Sequence, residues 1–164
     1  MFLLDAEILF DLRHARADGD GAALAGWAQR TSRQSMFLSV LSLVELENAA
    51  ALAAKQGKAE GAAWREWIDG QVLPAFEGRV LSVDLTIARR RAALALDNDR
   101  DALLAATALE HGLTLVTCRG AAFRGARLKL LDPSRIAADT VEDGDWREAT
   151  RARSPWIRSL FIRG

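Results

Sequence analysis

The chain has 164 residues, half of them hydrophobic, which suits a single domain with a substantial core. Its 22 basic and 22 acidic residues cancel, so no overall positive field indicates binding to nucleic acid. A single cysteine excludes a disulfide framework within the chain and argues against a cysteine-based zinc site, while the lack of a basic leader or long apolar run predicts a cytoplasmic protein without membrane contact.

The first part of the chain opens with a short apolar run, followed by apolar residues at helical spacing. The opening run is strand-length and stops at the polar Asp5. A turn cluster at Asp18–Gly21 separates the first helical segment from the second. In chain order, the sequence predicts a strand at Phe2–Leu4, a helix around Ile8–Leu12, a helix over Ala22–Arg30, a strand at Met36–Leu41, and a helix from Leu43 to Gln56 that Gly57 would end.

The next part, up to Pro133, repeats this alternation. Pro74 is expected to stop one helix, because proline has no N–H and clashes with the preceding turn. Asp84 is a candidate N-cap for the helix after the third strand. In chain order, the sequence predicts a helix over Ala59–Leu73, a strand at Val80–Val83, a helix to about Leu96, a charged linker at Asp97–Asp101, a helix over Ala102–His111 ended by Gly112, and strands at Leu113–Thr117 and Leu128–Leu131.

Strands that alternate with helices favour a parallel sheet covered on both faces. The predicted fold class is therefore α/β, with three layers (α/β/α) around a central, mostly parallel sheet of four to five short strands. After Pro133 the composition changes: residues 141–148 are acidic, whereas residues 151–163 carry only basic charges. We predict one domain over residues 1–133 and a C-terminal extension or arm over residues 134–164.

Three acidic residues stand where the predicted strands and helices would bring them together. Asp5 follows the first strand, Glu45 lies in the helix after the second, and Asp101 begins the helix that leads into the fourth. Open parallel sheets bind ligands outside the carboxyl ends of their strands. Hard oxygen ligands suit Mg²⁺ or Mn²⁺, which can activate a water for attack on a phosphodiester. Taken singly, Asp5 could simply end a strand, Glu45 could be solvated, and Asp101 could be an N-cap.

Three segments resemble the signatures of one nuclease family. Leu3–Leu9 resembles the opening of PIN domains, where a strand ends in Asp. Leu38–Leu46 resembles their second signature, a strand followed by a helix that carries Glu-Leu. Asp101–Thr117 is similar to the third signature of the VapC and FitB-like members, plasmid-stability proteins included. The resemblance covers residues 1 to about 133 and implies a PIN-like fold.

The resemblance also implies an activity. It indicates a Mg²⁺- or Mn²⁺-dependent endoribonuclease that acts as the toxin of a toxin–antitoxin system. By motif position, Asp5, Glu45 and Asp101 are the expected metal ligands. Together with Thr117, which would orient a metal-bound water or the substrate, they are the expected catalytic residues.

The partners that the resemblance implies are an RNA substrate, a cognate antitoxin and a second copy of the chain. The antitoxin would insert a peptide near the acidic groove, and the two acidic sites of a homodimer would face a shared groove. Trp64, Trp67 and Ile68 lie on one predicted helix and could supply part of the dimer interface. The sequence leaves open whether they belong to the core instead.

The sequence departs from the family pattern at two places. Arg119 and Ala122 occupy the candidate positions of a fourth acid after Thr117. Ala6-Glu7 replaces the Thr-Asn that usually follows the first Asp. We predict that Glu7 and Arg119 pair across the edge of the site; alternatively, Glu7 replaces the missing metal ligand.

Two other functions stay open. The first is a catalytically impaired PIN-like module that acts by binding RNA or protein, which the missing fourth acid and the zero net charge favour. The second is a phosphatase-like enzyme with Asp5 as nucleophile and Glu7 as acid, although no other motif of that class is evident. His14, His111 and Cys118 have no catalytic signature around them.

Overall fold

The computed structural model describes residues 1–14 and 21–135. Within them, five short strands form one sheet. They are β1 (Phe2–Leu4), β2 (Met36–Ser39), β3 (Val80–Leu81), β4 (Thr114–Val116) and β5 (Leu130–Leu131). The strand order is β3-β2-β1-β4-β5, and every neighbouring pair is parallel. The predicted parallel sheet is therefore confirmed.

Helices connect the strands, as the alternation predicts. They are α1 (Ala6–His14), α2 (Ala22–Arg30), α3 (Val40–Gln56), α4 (Lys58–Trp67), α5 (Leu73–Ala75), α6 (Leu85–Ala92) and α7 (Asp99–Glu110). Short 3-10 turns lie at Arg33–Ser35, Gly120–Phe123 and Pro133–Arg135. None of the described helices has the length and apolar content needed to cross a membrane.

Successive strand residues face opposite sides of the sheet and so divide the core in two. Leu4, Leu38 and Val116 pack with apolar residues of α1 to α5 in one cluster. Leu3 and Leu115 pack with residues of α7 in the other. Helices thus cover both faces, which confirms the α/β/α layers. All five of these strand residues are fully buried, and each such side chain stabilises the fold by about 1.5–3 kcal/mol.

Four of the five strands, β2 to β5, are shorter than the sequence predicts, and in β2 the reason is a helix cap at its last residue. The side chain of Ser39 accepts the N–H of Leu41 at 3.2 Å, so α3 begins at Val40 rather than at Leu43. Asp84 accepts the N–H of Ile87 at 2.9 Å and confirms the predicted N-cap of α6.

The prediction that Pro74 stops a helix is wrong. α4 passes into a single π-helical turn over Ile68–Val72. The short helix α5 follows, includes Pro74 and ends at Ala75. A proline clashes with the carbonyl four residues earlier in a regular α-helix. The wider π turn directly before Pro74 moves that carbonyl out of its α-helical position, so the chain continues.

The tryptophans of α4 belong to the core of a single chain. Trp67 and Ile68 are about 1 % exposed. Trp64 is partly buried, and its ring meets that of Trp67 edge-on with centroids 5.7 Å apart. The Arg13 guanidinium lies 3.8 Å from the Trp64 ring centroid. Trp67 and Ile68 therefore contribute to the core rather than to an interface, and the homodimer stays a prediction.

Some predictions concern residues outside the described part of the chain. They include most of the turn cluster at 18–21 and nearly all of the extension over 134–164. The domain boundary at residue 133 accordingly stays a prediction.

Gly61 marks a close approach between α3 and α4. A Cβ added there would meet the Cβ of Ala54 at 2.5 Å and its Cα at 2.6 Å, both too close for an ordinary contact. We predict that Gly61→Ala lowers the free energy of unfolding by about 1–3 kcal/mol, because the two helices must move apart. Urea denaturation measures the change.

Gly70→Ala is the matched control, because nothing lies within 4 Å of a Cβ added at Gly70. This variant is expected to be as stable as the wild type or up to about 1 kcal/mol more stable, since alanine restricts the unfolded chain more than glycine does. Equal stability of Gly61→Ala and the wild-type protein would contradict the tight packing of α3 on α4.

Candidate acidic active site

The candidate site lies at the carboxyl edge of the sheet, where the strand order reverses. β1 pairs with β2 on one side and with β4 on the other, which leaves a crevice at the ends of β1 and β4. Asp5 and Thr117 directly follow these two strands. The Asp5 N–H donates to the Val116 carbonyl at 3.0 Å and extends the ladder by one residue. The first residues beyond both strands therefore stand side by side.

Asp5 is fully buried, so its carboxylate depends on hydrogen-bond donors from the protein. The Ala6 N–H donates to Asp5 Oδ1 at 2.8 Å. The Thr117 hydroxyl lies 2.9 Å from Asp5 Oδ2 and 2.8 Å from Glu7 Oε1, with one proton to donate between them. Asp5 and Thr117 are thus held in fixed positions at the crevice.

Glu45 reaches the same place from α3. The hydroxyl of Ser42 donates to the Leu4 carbonyl at 3.1 Å, which ties the first turn of α3 to the end of β1. Glu45 follows three residues later, and its Oε2 accepts a hydrogen bond of 2.8 Å from Arg100. Its side chain therefore enters the site and is only about one-third exposed, rather than freely solvated.

Asp101 arrives on the first turn of α7. The N-cap of this helix is Asn98, whose side chain accepts the Asp101 N–H at 3.0 Å. The alternative that Asp101 is only an N-cap is therefore wrong, and its buried carboxylate faces Arg100 and Arg119. Burial raises the pKa of Asp101, but hydrogen bonds from Arg119 and Arg100 outweigh it, and the resulting pKa lies below the usual value.

These side chains border one cavity of about 430 Å³. Four carboxylates and two guanidiniums line it, which leaves a formal excess of two negative charges. The lining residues are Asp5, Glu7, Phe10, Glu45, Asn98, Arg100, Asp101 and Arg119. The three acids that the sequence singles out are therefore brought together, and Thr117 contacts the first of them.

Arg100 is the site residue that the sequence analysis missed. Its guanidinium contacts Asp5, Glu45 and Asp101, at 2.8 Å from Glu45 Oε2 and 2.7 Å from Asp101 Oδ1. Burial alone would lower the pKa of Arg100, but hydrogen bonds and charge from these acids raise it, so the side chain stays cationic. A sequence signal did exist: a lone basic residue among acids in the first helical turn, where positive charge opposes the helix dipole.

The predicted Glu7–Arg119 ion pair is confirmed, with Arg119 Nε 3.2 Å from Glu7 Oε2. Arg119 also lies 2.9 Å from Asp101 Oδ1 and 3.2 Å from Asp5 Oδ2. Glu7 Oε1 accepts the backbone N–H groups of Cys118 and Arg119 at 2.7 and 3.1 Å. Glu7 thereby holds the loop after β4 in place, and its alternative role as a metal ligand stays a prediction.

Several other ionisable residues lie outside the acidic cavity. Asp97 and Asp99 are exposed and do not line the acidic cavity. His14 and His111 are also exposed, the first contacting a backbone carbonyl of its own helix and the second ending α7. Partial desolvation, together with neighbouring carboxylates, raises the pKa of the Cys118 thiol to about 11, which disfavours a thiolate nucleophile at neutral pH.

The acids match a divalent cation in chemistry but are arranged here as ion pairs. Carboxylate oxygens of Asp5, Glu45 and Asp101 are the hard donors that Mg²⁺ and Mn²⁺ prefer. Their oxygens face Arg100 and Arg119 instead, and across residues 1–14 and 21–135 no three acidic, histidine or cysteine side chains are grouped to hold an ion. A cation at this site would therefore replace contacts that the arginines now make.

The chain is similar in sequence to one protein family and to named members of it. The family model described as PIN domain matches residues 2–129. The protein named VapC ribonuclease Y4jK of Sinorhizobium fredii is 30% identical over 141 residues, which are 81% of this chain and 97% of that protein. Plasmid stability protein StbB of Pseudomonas syringae pv. tomato is also 30% identical over 141 residues, covering 81% of this chain and 98% of its own.

Two solved structures share the fold. FitAcB from Neisseria gonorrhoeae has a TM-score of 0.75 at 24% identity, over 83% of this chain and 100% of that one. A toxin–antitoxin complex from Klebsiella pneumoniae has a TM-score of 0.58 at 23% identity, over 81% of this chain and 98% of that one.

Asp101 is predicted to stabilise the fold at neutral pH and to lose that effect in acid. Its pKa in the folded protein lies below the ordinary value of about 3.9, so the stabilisation is present above that pH and disappears as the pH falls through the folded pKa. Asp101→Asn should lower the free energy of unfolding by roughly 1–3 kcal/mol at about pH 7. Urea denaturation should show this difference shrinking below about pH 4.

Asp99→Asn is the control on the same helix, because Asp99 is 83% exposed and pairs only with Arg91 among the contacts recorded for the described residues. Its effect is expected to stay within about 0.5 kcal/mol. A loss in Asp101→Asn that was equally large at both pH values would show that the charge of Asp101 is not what stabilises the fold.

Proposed function

Because the chain belongs to the PIN-domain family, we propose that it is a Mg²⁺- or Mn²⁺-dependent endoribonuclease that acts as the toxin of a toxin–antitoxin pair. The observation that carries the proposal is the meeting of Asp5, Glu45, Asp101 and Thr117 at the carboxyl edge of the sheet. Like charges repel, so carboxylates from three distant segments need a shared positive partner to meet around one cavity. A divalent cation would be that partner in the active enzyme.

The relatives support the biological side of the proposal. This chain covers nearly the whole length of two of them, one named a ribonuclease and the other a plasmid stability protein. One of the structures with the same fold is a toxin–antitoxin complex. From these likenesses we infer an RNA substrate and an antitoxin partner, and we retain the homodimer as part of the proposal.

In the proposed enzyme, Asp5, Glu45 and Asp101 would hold the cation. A bound divalent ion supplies an activated water and offsets the negative charge that develops on the scissile phosphate. The Thr117 hydroxyl, held between Asp5 and Glu7, would orient a water or the substrate. Glu7 supports this step indirectly, because it fixes the loop that carries Thr117 and Arg119.

A second candidate function is a PIN-like module that binds RNA or protein without cleaving it. The observation that favours it is the pairing of the acids with Arg100 and Arg119, since Arg119 occupies a candidate position of the absent fourth acid. In that reading the two arginines stay paired with the acids, and the exposed part of Arg119 would contact a phosphate.

Asp5→Asn is expected to separate these functions. If the cavity is a metal site, cleavage of a labelled RNA in Mn²⁺ should fall by about 100-fold or more, because the central buried carboxylate loses its charge. Cleavage by the wild-type protein should stop when a chelator removes the ion. Circular dichroism should show that the variant is folded.

Asp99→Asn, on the exposed side of α7, serves as the control and should cleave as the wild-type protein does. A wild-type protein that cleaves no RNA in either Mg²⁺ or Mn²⁺, but binds it as tightly as Asp5→Asn does, would rule out the nuclease and establish the binding module.

A further inference from the structure

Arg100 lies among the three acids that the proposed function assigns to a cation. Its guanidinium contacts Asp5 from β1, Glu45 from α3 and Asp101 from its own helix. This inference rests on that proposed metal site. We infer that Arg100 is a tethered counter-ion of the three acids. A divalent cation must displace its guanidinium, and the cost of that displacement sets the metal affinity of the site.

The geometry makes the competition direct. A guanidinium presents its N–H donors in a rigid planar fork, and here that fork spans all three acids. Nη2 donates to Asp5 and Glu45, and Nη1 donates to Asp101 at 2.7 Å. Arg100 therefore engages at least one oxygen of each carboxylate. A cation that took the same oxygens would stand beside a like charge unless the guanidinium moved away.

The acids, rather than the helix, hold Arg100 in place. It lies in the first turn of α7, where the helix dipole disfavours a positive charge. Its side chain is 23% exposed and borders the cavity. Within residues 1–14 and 21–135, the contacts of the guanidinium are with these three acids, so a cation that took the carboxylates would release it toward the cavity that it borders.

Arg119 does not play the same part. It is anchored by Glu7, its side chain is 43% exposed, and it reaches Asp5 and Asp101 from the outer side of the site. No contact between Arg119 and Glu45 is present among the described residues. Arg100 is the cation that touches all three acids and is therefore the one that competes for them.

The test is calorimetric titration of Mn²⁺ into the full chain after treatment with a chelator. Arg100→Met keeps much of the side-chain length but removes the charge and the donors, and we expect it to bind Mn²⁺ about tenfold more tightly than the wild type. Arg100→Lys keeps the charge without the planar fork and should fall between the two.

Arg91→Met is the matched control. Arg91 pairs with Asp99 on α7 and does not contact the acids of the cavity. Its substitution therefore removes one positive charge from the same region without removing a contact to those acids. Its Mn²⁺ affinity should equal that of the wild type. A gain as large as that of Arg100→Met would show that general charge, not displacement of Arg100, governs the affinity.

A thermal readout covers the case in which Arg100→Met is less stable without metal. Mn²⁺ should then raise the Tm of Arg100→Met more than that of the wild type, because tighter binding to the folded state stabilises it further. Equal or weaker binding by folded Arg100→Met overturns the inference. So does a failure of both proteins to bind, since Arg100 would then not be what excludes the ion.

The RNA-cleavage assay reports on the proposed function separately. If the wild-type protein binds Mn²⁺ and cleaves RNA but Arg100→Met gains no affinity for Mn²⁺, the proposed function is supported and the inference about Arg100 is wrong. If Arg100→Met gains affinity for Mn²⁺ but the wild-type protein cleaves no RNA, the inference about Arg100 is supported and the proposed nuclease function is wrong.

Discussion

The fold depends on compensating a carboxylate that it buries completely. Asp5 is fully inaccessible, and an isolated charge in that position would cost several kcal/mol. Donors come from the backbone after β1, from the Thr117 hydroxyl and from two arginines on later segments. Because these donors lie far apart in the sequence, satisfying Asp5 draws the end of β4 and the start of α7 to one edge of the sheet.

The same constraint joins stability to function. Four carboxylates around one cavity repel one another, and Arg100 and Arg119 offset that repulsion in the chain by itself. The carboxylate oxygens that accept hydrogen bonds from the arginines are also the oxygens that would coordinate a divalent cation. In the proposed metal site, folding and cation binding would draw on the same acids, and a cation would have to replace the contacts that the arginines make. The family resemblance pointed to the three acids, whereas Arg100 was identified only from the geometry of the site.

Much of this could be predicted from the sequence because local signals agreed with the final fold. Short apolar runs between helical segments predicted the parallel sheet, and one acid after a strand with two more in nearby helices predicted the site at its carboxyl edge. The Glu7–Arg119 pair was also predictable, because both residues depart from the same family pattern and carry opposite charges. Pro74 was misjudged because a π turn is not visible in the sequence, and Asn98 was overlooked beside the more conspicuous acid that it caps.

The sequence by itself determined which segments could form strands and which polar residues would follow the strand ends. These properties depend on spacing and side-chain type within a few residues of one another. Only the tertiary structure decided where Arg100 would point, because its partners Asp5 and Glu45 lie 95 and 55 residues away in the chain. An ion pair over such separations exists only once the sheet has set the distances, so the unusual position of Arg100 in its helix could not by itself identify the acids that it contacts.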